Sequence, residues 1–203
     1  TINSIRKLGI KIVLKKKYCK VFGKGIDGYN YKENLTINAK NSGTLARLLL
    51  GLFANTKKKI KLIGDKSLSQ RDFKRVIDPL KKFGVIFDSN KKNTLPLKII
   101  GSKILRPINY FENRGSAQCK SCVIFAGMRT KGRTFIKAKK SRNHTEILCK
   151  FLRLPIKVKT KKNFDFIEVN EVKKIKPLNY KIPSDISSAA FFIVLAALSK
   201  DSK

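Results

Sequence analysis

The sequence has few cysteines, a single histidine and no apolar run long enough to cross a membrane. A membrane-spanning helix needs about 20 predominantly apolar residues, and the apolar run at residues 189–198 is far shorter. Cys119 and Cys122 form a C-x-x-C pair, but no second pair completes a tetrahedral zinc site. We therefore expect a soluble, cytoplasmic protein without a bound metal, whose thiols are reduced and partly buried.

Catalytic signatures of several common kinds are also missing. The sequence has no P-loop for nucleotide phosphates and no nucleophile with an adjacent base. His144, the only histidine, stands near a predicted helix start, where an exposed first-turn residue is commoner than an acid or base.

Acidic residues are scarce, since 13 aspartates and glutamates face 47 lysines and arginines, for a formal net charge of +34. Such a charge fits nucleic-acid binding with counterion release, or the steering of small phosphorylated substrates. The lysines fall in nearly every loop, as at residues 15–17, 57–59 and 161–162, without a single stripe or a nucleic-acid-binding signature. We therefore expect mostly solvated surface lysines and no specific nucleic acid as a partner.

A basic nucleic-acid-binding module stays open as an alternative. It predicts one concentrated positive face with exposed aromatic side chains beside it, and binding that weakens steeply with salt. Six phenylalanines instead lie within apolar helix patterns, which favours core packing. These are Phe53, Phe83, Phe125, Phe151, Phe191 and Phe192.

A serine-bearing turn opens an apolar, helix-like run three times, at intervals of roughly 70 to 75 residues. The turns are NSGT at 41–44, RGSAQ at 114–118 and DISS at 185–188. The regular interval indicates an internal repeat. Each helix start offers unpaired N–H groups and the positive end of a helix dipole, so helix starts brought together would form a site for anions.

Each repeat has the pattern of a β-α-β-α-β-β unit, which predicts an α/β (α+β) fold. In the second copy we predict a short strand before the turn, then a helix at 44–54, a strand at 59–63, a helix from Ser67 to 80–84, and strands at 85–87 and 95–100. In the third copy we predict the same order, with helices at 117–128 and 141–154 and strands at 134–137, 156–159 and 164–169.

The repeat also predicts that the chain is a piece of a longer protein. Residues 1–8 match the end of a second helix and residues 9–12 the strand that follows it. The first copy would then lack its front half, roughly 35 to 40 residues. Residues 188–198 match the first helix of a fourth copy.

Polar side chains suited to anions lie at the loop-to-helix junctions. Arg71 follows two serines that could cap a helix, and its planar guanidinium is a bidentate donor for carboxylate or phosphate. Ser116 and Gln118 offer a hydroxyl, an amide and free backbone N–H groups, and Ser141 precedes a second arginine. The same residues also fit ordinary capped helices with surface arginines, and the pattern alone leaves both interpretations open.

Six motifs follow one another along the chain. They are NSGTLARLL at 41–49, GDKSLSQR at 64–71, RVIDPL at 75–80, SAQCKS at 116–121, SRNHTE at 141–146 and DISSAAFF at 185–192. Together they resemble the signature of the EPSP synthase family, the 5-enolpyruvylshikimate-3-phosphate synthases. The resemblance implies an enolpyruvyl transferase-like fold of two domains, each with three β-α-β-α-β-β units. Residues 1–181 would be most of the N-terminal domain, and residues 182–203 the crossing and first helix of the C-terminal domain.

The resemblance implies carboxyvinyl transfer from phosphoenolpyruvate to the 5-hydroxyl of shikimate 3-phosphate. It implies no metal and no organic cofactor, these two small anions as partners, no membrane, and a monomeric full-length enzyme. The family's catalytic carboxylates and lysine fall outside this chain, so we expect the 203 residues alone to be inactive. An enolpyruvyl transferase acting on a UDP-sugar stays open as an alternative, although the motifs at 64–71 and 116–121 argue against it.

Carried over position by position, the resemblance assigns three groups of site residues. Phosphoenolpyruvate would contact Gly43, Arg71 and Gln118. Shikimate 3-phosphate would contact Ser116, Ala117, Gln118, Ser141 and Arg142. The cleft would be supported by Asn41, Arg47 and Asp185. Asp72 stands where the family usually has proline, so its carboxylate could compete for Arg71 or face water.

Overall fold

The computed structural model describes residues 1–89 and 93–200. The chain begins with a short helix and a two-stranded antiparallel sheet: α1 (Ile2–Lys7), β1 (Lys11–Leu14) and β2 (Cys19–Phe22). The helix end and the strand predicted at residues 1–12 are both present. The second strand of the pair gives this segment the α-β-β order that closes each predicted unit.

The second repeat has the predicted element order, except that its second helix is divided into two. Its elements are β3 (Leu35–Asn38), α2 (Gly43–Leu52), β4 (Ile60–Ile63), α3 (Lys66–Ser69), α4 (Lys74–Phe83), β5 (Ile86–Ser89) and β6 (Leu97–Ile100). The four strands form one sheet in the order β3-β4-β6-β5, in which β3 and β4 are parallel and the other pairs are antiparallel.

The third repeat has the same architecture. Its elements are β7 (Asn109–Glu112), α5 (Ala117–Gly127), β8 (Arg133–Lys139), α6 (His144–Phe151), β9 (Ile156–Lys161) and β10 (Phe164–Asn170). Its sheet has the order β7-β8-β10-β9, again with the first two strands parallel and the others antiparallel. The repeated topology confirms the α/β class and the β-α-β-α-β-β unit.

Helices α2 and α5 join the two repeats through the core. They approach closely at Gly51, where an added Cβ would lie 2.3 Å from the carbonyl oxygen of Cys122. At the helix starts, Gln118 of α5 donates to Thr44 of α2. At the opposite ends, Arg129, shortly after α5, donates to Asn55, shortly after α2. The two helices are therefore parallel, and their N-termini lie at the same end of the molecule.

Two predicted helices differ from the observed ones. The helix expected from Ser67 to 80–84 is broken into α3 and α4, because the N–H of Phe73 bonds the carbonyl of Asn93 and Asp72 accepts from the N–H of Lys74. The helix expected from Ser141 begins at His144, because the chain is still paired across the sheet at Lys140, whose N–H bonds Asn163. Hydrogen bonds to partners outside the helix at these points compete with helix formation.

The third serine turn differs from the other two. No strand precedes it, since residues 171–185 contain none. Helix α7 (Ile186–Leu198) follows the turn, and it buries none of its residues. Apart from residues 90–92 and 201–203, which lie outside the description, no helix of the chain combines the length and hydrophobicity needed to cross a membrane.

Core packing of the six helix phenylalanines is confirmed for some and wrong for others. Phe53 and Phe83 are fully buried, and Phe125 is partly buried against the core. Phe151, Phe191 and Phe192 are exposed by 59%, 81% and 75%. Their helical pattern was read correctly, but no other described element covers those sides of α6 and α7.

The cysteines are free thiols, as expected, and only Cys19 is exposed. Burial raises the pKa of the Cys149 thiol to about 11, with nearby Glu146 acting in the same direction, and burial also raises the pKa of Cys122. Because the thiolate is the reactive form, iodoacetamide at mildly alkaline pH should label Cys19 alone in the folded chain. Peptide mass spectrometry with and without denaturant checks this, and rapid labelling of Cys122 or Cys149 before unfolding would contradict it.

Candidate active site

The N-termini of α2 and α5 open at the same edge as the carboxyl ends of two pairs of parallel strands. In one sheet Asn38 pairs with Ile63, and in the other Glu112 pairs with Ala138. The turn after each of these strands therefore emerges at one edge of its sheet. Since α2 and α5 are parallel neighbours, the unpaired N–H groups and positive dipole ends of two helices lie side by side, an arrangement that favours anions.

The start of α2 combines a side-chain cap with an open backbone. The hydroxyl of Ser42 accepts from the N–H of Leu45 at 3.1 Å, which fixes the first turn. Gly43 is the first helical residue, and a Cβ built there would lie 2.7 Å from Arg47 Nη1 and 3.3 Å from Arg71 Nη1. Two guanidinium groups therefore crowd against the bare backbone of Gly43.

Arg47, on α2, is linked to α5 through Gln118. Arg47 Nη1 donates to Gln118 Oε1 at 3.0 Å, while Gln118 Nε2 donates to the hydroxyl of Thr44 at 2.7 Å. The Arg47 guanidinium also lies 5.0 Å from the centre of the Phe73 ring. Burial lowers the pKa of Arg47, and the positive charges of Arg71 and Arg75 act in the same direction. Crowded, half-buried cations of this kind gain from the arrival of an anion.

Arg71 is positioned by a chain of contacts from the turn before α2. Asn41 Nδ2 donates to Asp65 Oδ2 at 2.7 Å, and Asp65 Oδ1 accepts from the N–H of Leu68 at 2.8 Å as the N-cap of α3. The expected cap was a serine; the carboxylate of Asp65 takes that place because it stands one position before the helix. Arg71 follows Gln70, the C-cap of α3, and is exposed.

Asp72 does not neutralise Arg71. Its Oδ1 accepts from the N–H of Lys74 at 2.7 Å, at the beginning of α4, and its side chain is exposed. Within the described ranges no ion pair joins the two side chains. Arg71 thus keeps its charge available to a ligand.

The start of α5 is organised by a buried carboxylate that sequence analysis missed. Glu112 is only 3% exposed; its Oε2 accepts from the N–H of Ser116 at 2.8 Å, and its Oε1 lies 2.5 Å from Arg75 Nη2. Ser116 in turn caps α5 by accepting from the N–H of Cys119. The position of Glu112, at the end of the strand before a serine turn, was the signal available in the sequence. Ala117 follows as the first residue of α5.

Ser141 lies beside the Ser116 turn. Gly115 has φ +73°, a conformation that favours glycine, and a Cβ built there would lie 3.3 Å from the carbonyl oxygen of Lys140. The hydroxyl oxygen of Ser141 is buried and has no hydrogen-bond partner among the residues described. An unpartnered buried hydroxyl is rare in proteins, so this one is free to bond a ligand. Arg142, next in the chain, is exposed.

Asp185 stands apart from this group. It caps α7 by accepting from the N–H of Ser187 at 3.0 Å and from the hydroxyl of Ser188 at 2.7 Å. The hydroxyl of Ser188, followed by the Ser187 N–H, lowers the pKa of Asp185. The structure therefore brings two of the three predicted helix starts together, and leaves the third exposed.

Beneath the site, a buried ion pair ties α5 to α6 and β10. Lys120 is fully buried, with its Nζ 2.5 Å from Glu146 Oε1 and 3.6 Å from Asp165 Oδ2. The hydroxyls of Ser121 and Thr145 add a hydrogen bond of 2.7 Å between the same two helices. Lys120 follows Gln118 closely along α5, so these contacts hold the helix that carries Ser116 and Gln118. The role of Lys120 is not predictable from the sequence pattern, because its partners Glu146 and Asp165 lie far along the chain.

Comparison with known proteins extends over nearly the whole chain. Residues 1–202 match the family model for EPSP synthase (3-phosphoshikimate 1-carboxyvinyltransferase). The 3-phosphoshikimate 1-carboxyvinyltransferase of Caldicellulosiruptor saccharolyticus is 41% identical over 208 residues, which cover 100% of this chain and 47% of that protein. That of Sulfurihydrogenibium sp. is 39% identical over 98% of this chain and 46% of its own length. The chain spans about half the length of the curated relatives it matches.

Solved structures agree with the sequence relatives. The EPSP synthase from Acinetobacter baumannii superposes with a TM-score of 0.83 at 33% sequence identity, over 98% of this chain and 44% of that one. The fold, the order of the motifs and the helix-start site all fall within the matched region. The chain belongs to the EPSP synthase family.

Proposed function

We propose that this chain forms one half of the active site of a carboxyvinyl transferase that moves the enolpyruvyl group of phosphoenolpyruvate to the 5-hydroxyl of shikimate 3-phosphate. The supporting observation is the junction of two parallel helix N-termini with Arg47, Arg71 and Gln118 around the bare backbone of Gly43. Both substrates are anions, and such a junction offers directed N–H donors and fixed positive charge.

Shikimate 3-phosphate binds at the start of α5. Its hydroxyls meet Ser116, Ala117 and Gln118, and its 3-phosphate meets Ser141 and Arg142. The buried, unpartnered hydroxyl of Ser141 and the exposed Arg142 guanidinium supply a short hydrogen bond and a mobile counter-charge. Glu112 acts indirectly, since it fixes the N–H of Ser116.

Phosphoenolpyruvate binds against the start of α2. Gly43 lets the substrate approach the backbone, Arg71 pairs with its negative charge, and Gln118 reaches both substrates from between the helices. The 5-hydroxyl gives up its proton as its oxygen bonds C2 of phosphoenolpyruvate, and C3 takes up a proton, so that the C2=C3 double bond becomes single. Loss of inorganic phosphate from C2 and of one proton from C3 of this tetrahedral intermediate restores the vinyl group. Residues of this chain bind and orient the reactants, and proton transfer is assigned to residues outside it.

The proposal divides the chain at the third serine turn. Residues 1–181 act as the N-terminal domain, and residues 182–203 lead into a second domain whose first helix is α7. The apolar, uncovered side chains of α7 support this division, because a helix of such composition is stable in water only when packed. The whole enzyme acts in the cytoplasm, as a monomer and without a metal or organic cofactor.

A chimera tests the proposed activity. This chain replaces the matching half of the Caldicellulosiruptor saccharolyticus protein, and release of inorganic phosphate is measured with both substrates present. We expect turnover in the chimera and none with the isolated 203-residue chain. Arg71→Met in the chimera should lower the rate at least a hundredfold, as removal of a preorganised charge does in other enzymes. The matched control is Arg153→Met, a helix-end arginine outside the site. A folded chimera without turnover would contradict the proposal.

Gly43→Ala tests the close approach at the start of α2. The new Cβ would lie 2.7 Å from Arg47 Nη1, so the flexible guanidinium of Arg47 must move. Its hydrogen bond to Gln118 is then disturbed. Displacements of about 1 Å at a reacting centre lower rates by about a hundredfold. In the chimera we expect the KM for phosphoenolpyruvate to rise and turnover to fall, while the melting temperature stays close to the parent value. An unchanged KM would contradict the placement of phosphoenolpyruvate beside Gly43.

A further inference from the structure

The sheet β7-β8-β10-β9 has one face turned away from α5, and that face carries both aromatic and charged side chains. Along β8 the side chains alternate between buried and exposed, with Thr134, Ile136 and Ala138 turned inward. The outward positions of the four strands carry mainly phenylalanines and basic residues. We call this surface the outer face; it consists of Asn109, Phe111, Arg133, Phe135, Lys137, Lys139, Lys157, Lys159, Lys161, Phe164, Phe166, Glu168 and Asn170.

The phenylalanines of the outer face are exposed to an unusual degree. Phe111 is 54% exposed, Phe135 46% and Phe166 42%. Scattered exposed aromatics are normal, but several on one sheet face form a patch of the kind that marks a binding surface. Together with neighbouring side chains they line a depression of about 500 Å³.

Phenylalanine and lysine alternate across the strands in register. Lys137 on β8 pairs with Phe111 on β7 and with Phe166 on β10, and Phe166 pairs in turn with Lys159 on β9. The Nζ of Lys137 lies 5.2 Å from the centre of the Phe111 ring and 5.8 Å from that of Phe166, within cation–π range. Strands lie about 4.8 Å apart, so each ring of this row has a cation one strand spacing away, and the next ring lies two strand spacings away.

The charge of the outer face is strongly one-sided. Arg133 and five lysines stand there against a single carboxylate, that of Glu168, whose nearest lysine nitrogen is 3.9 Å away on Lys157. The anion site at the starts of α2 and α5 lies at the carboxyl ends of β7 and β8, at the edge of the sheet. The outer face is therefore a separate surface, and it does not depend on the proposed enzymatic function.

We propose that the outer face binds single-stranded nucleic acid. Each nucleotide offers a phosphate for a lysine and an unstacked base for a phenylalanine, which are the two features that alternate here. A duplex has no unstacked bases, and an acidic peptide uses the cations but not the ring faces. A four-stranded sheet with exposed aromatic rings is also the platform on which one class of RNA-binding domain stacks two or three bases. No specific nucleic acid is expected from the sequence, because the lysines form no single stripe and no binding signature is present; the outer face becomes visible only through the strand register.

Fluorescence anisotropy with labelled short oligothymidylate and oligouridylate tests the proposal on the whole 203-residue chain. A triple variant, Phe111→Leu, Phe135→Leu and Phe166→Leu, keeps apolar strand residues but removes the rings. Stacking of one base is worth roughly a factor of ten, so the triple variant should bind at least tenfold more weakly. Phe151→Leu, an exposed ring on α6, is the matched control and should bind as the parent does. The corresponding tyrosine triple variant should retain binding.

Comparing lysine substitutions on and off the outer face distinguishes binding at this face from attraction by the overall positive charge. For single strands, the plot of log affinity against log salt concentration falls with a slope whose magnitude is about 0.7 for each phosphate contact. Each contact that is removed should reduce that magnitude by about 0.7. Lys137→Gln, Lys157→Gln and Lys159→Gln together should lower that slope by about 2. The matched control removes the same charge from an exposed loop, by Lys15→Gln, Lys16→Gln and Lys17→Gln. The salt-dependence slope of this control should stay nearly unchanged. Equal effects of the two lysine sets, or full binding by the leucine variant, would overturn the proposal.

Crosslinking supplies a readout that needs no variant. An oligonucleotide carrying 5-bromodeoxyuridine is bound to the unmodified chain and irradiated, and the attached peptides are identified by mass spectrometry. The proposal predicts attachment in β7, β8 and β10. Attachment spread over the lysine-rich loops, or equal competition by inorganic polyphosphate, would show a purely electrostatic surface and overturn it.

Discussion

Replacing Lys120 with methionine is expected to destabilise the chain by about 3–5 kcal/mol, a large part of the roughly 5–15 kcal/mol that holds a domain together. The ammonium group of Lys120 is fully buried, 2.5 Å from Glu146 and 3.6 Å from Asp165. Methionine fills much of the same volume but leaves two buried carboxylates without their cation. The penalty therefore comes from uncompensated charge, since little packing is lost.

An ion pair with an exposed lysine provides the control. Lys157 and Glu168 lie 3.9 Å apart, with side chains 76% and 20% exposed. Because the long separation and the solvated lysine leave little attraction to lose, Lys157→Met should change stability by less than about 1 kcal/mol. Urea unfolding followed by circular dichroism measures both. Adding Glu146→Leu to Lys120→Met should recover part of the lost stability, because one stranded carboxylate is removed. Equal, small effects of the two lysine variants would contradict the account of the buried pair.

Replacing Gly51 with alanine is the second substitution with a large expected effect. Alanine in a helix interior normally gains about 1 kcal/mol over glycine. Here the new Cβ would lie 2.3 Å from the carbonyl oxygen of Cys122 and 3.0 Å from its carbonyl carbon, and backbone atoms cannot rotate away. Helices α2 and α5 must separate, and overpacking of this kind destabilises by about 1–3 kcal/mol. The clash should outweigh the helix propensity.

Separation of α2 and α5 should also reach the site. The bonds from Gln118 to Arg47 and Thr44 span the two helices, so Gly51→Ala should weaken anion binding as well as stability. Gly23→Ala is the matched control, because nothing lies within 4 Å of a Cβ built there; its stability should stay within about 0.5 kcal/mol of the parent. Thermal melts of both variants check the prediction, and a Gly51→Ala protein as stable as the parent would contradict it.

The elements that sequence analysis predicted correctly are those set by local pattern. Alternating and helical hydrophobic periods, together with the recurring serine turn, located both repeats and the starts of α2 and α5. The errors lie where contacts with residues distant in the sequence determine the local structure or the burial of a side chain. The break between α3 and α4 depends on the bond from Phe73 to Asn93, and the exposure of Phe151 depends on what the fold leaves uncovered.

The candidate site shows the same division. Ser42, Ser116 and the helix starts could be placed from sequence, because capping is a local interaction. The contact of Arg47 with Gln118 could not, since it exists only because Gly51 allows two distant helices to pack closely. Glu112 and Arg75 were missed because the place of Glu112 before a serine turn indicates a polar residue near the turn, but not its burial or its partner. The outer face emerged only with the strand register.

The most direct test of the central claim is a titration of the isotope-labelled chain with shikimate 3-phosphate, followed through backbone amide chemical shifts. If the starts of α2 and α5 form the substrate site, the amides of Ser116, Ala117, Gln118 and Ser141 should shift in a saturable way. Inorganic phosphate at equal ionic strength should reproduce only the change at Ser141. The absence of any shift at these amides with millimolar ligand, or the same diffuse shifts with either anion, would contradict the account.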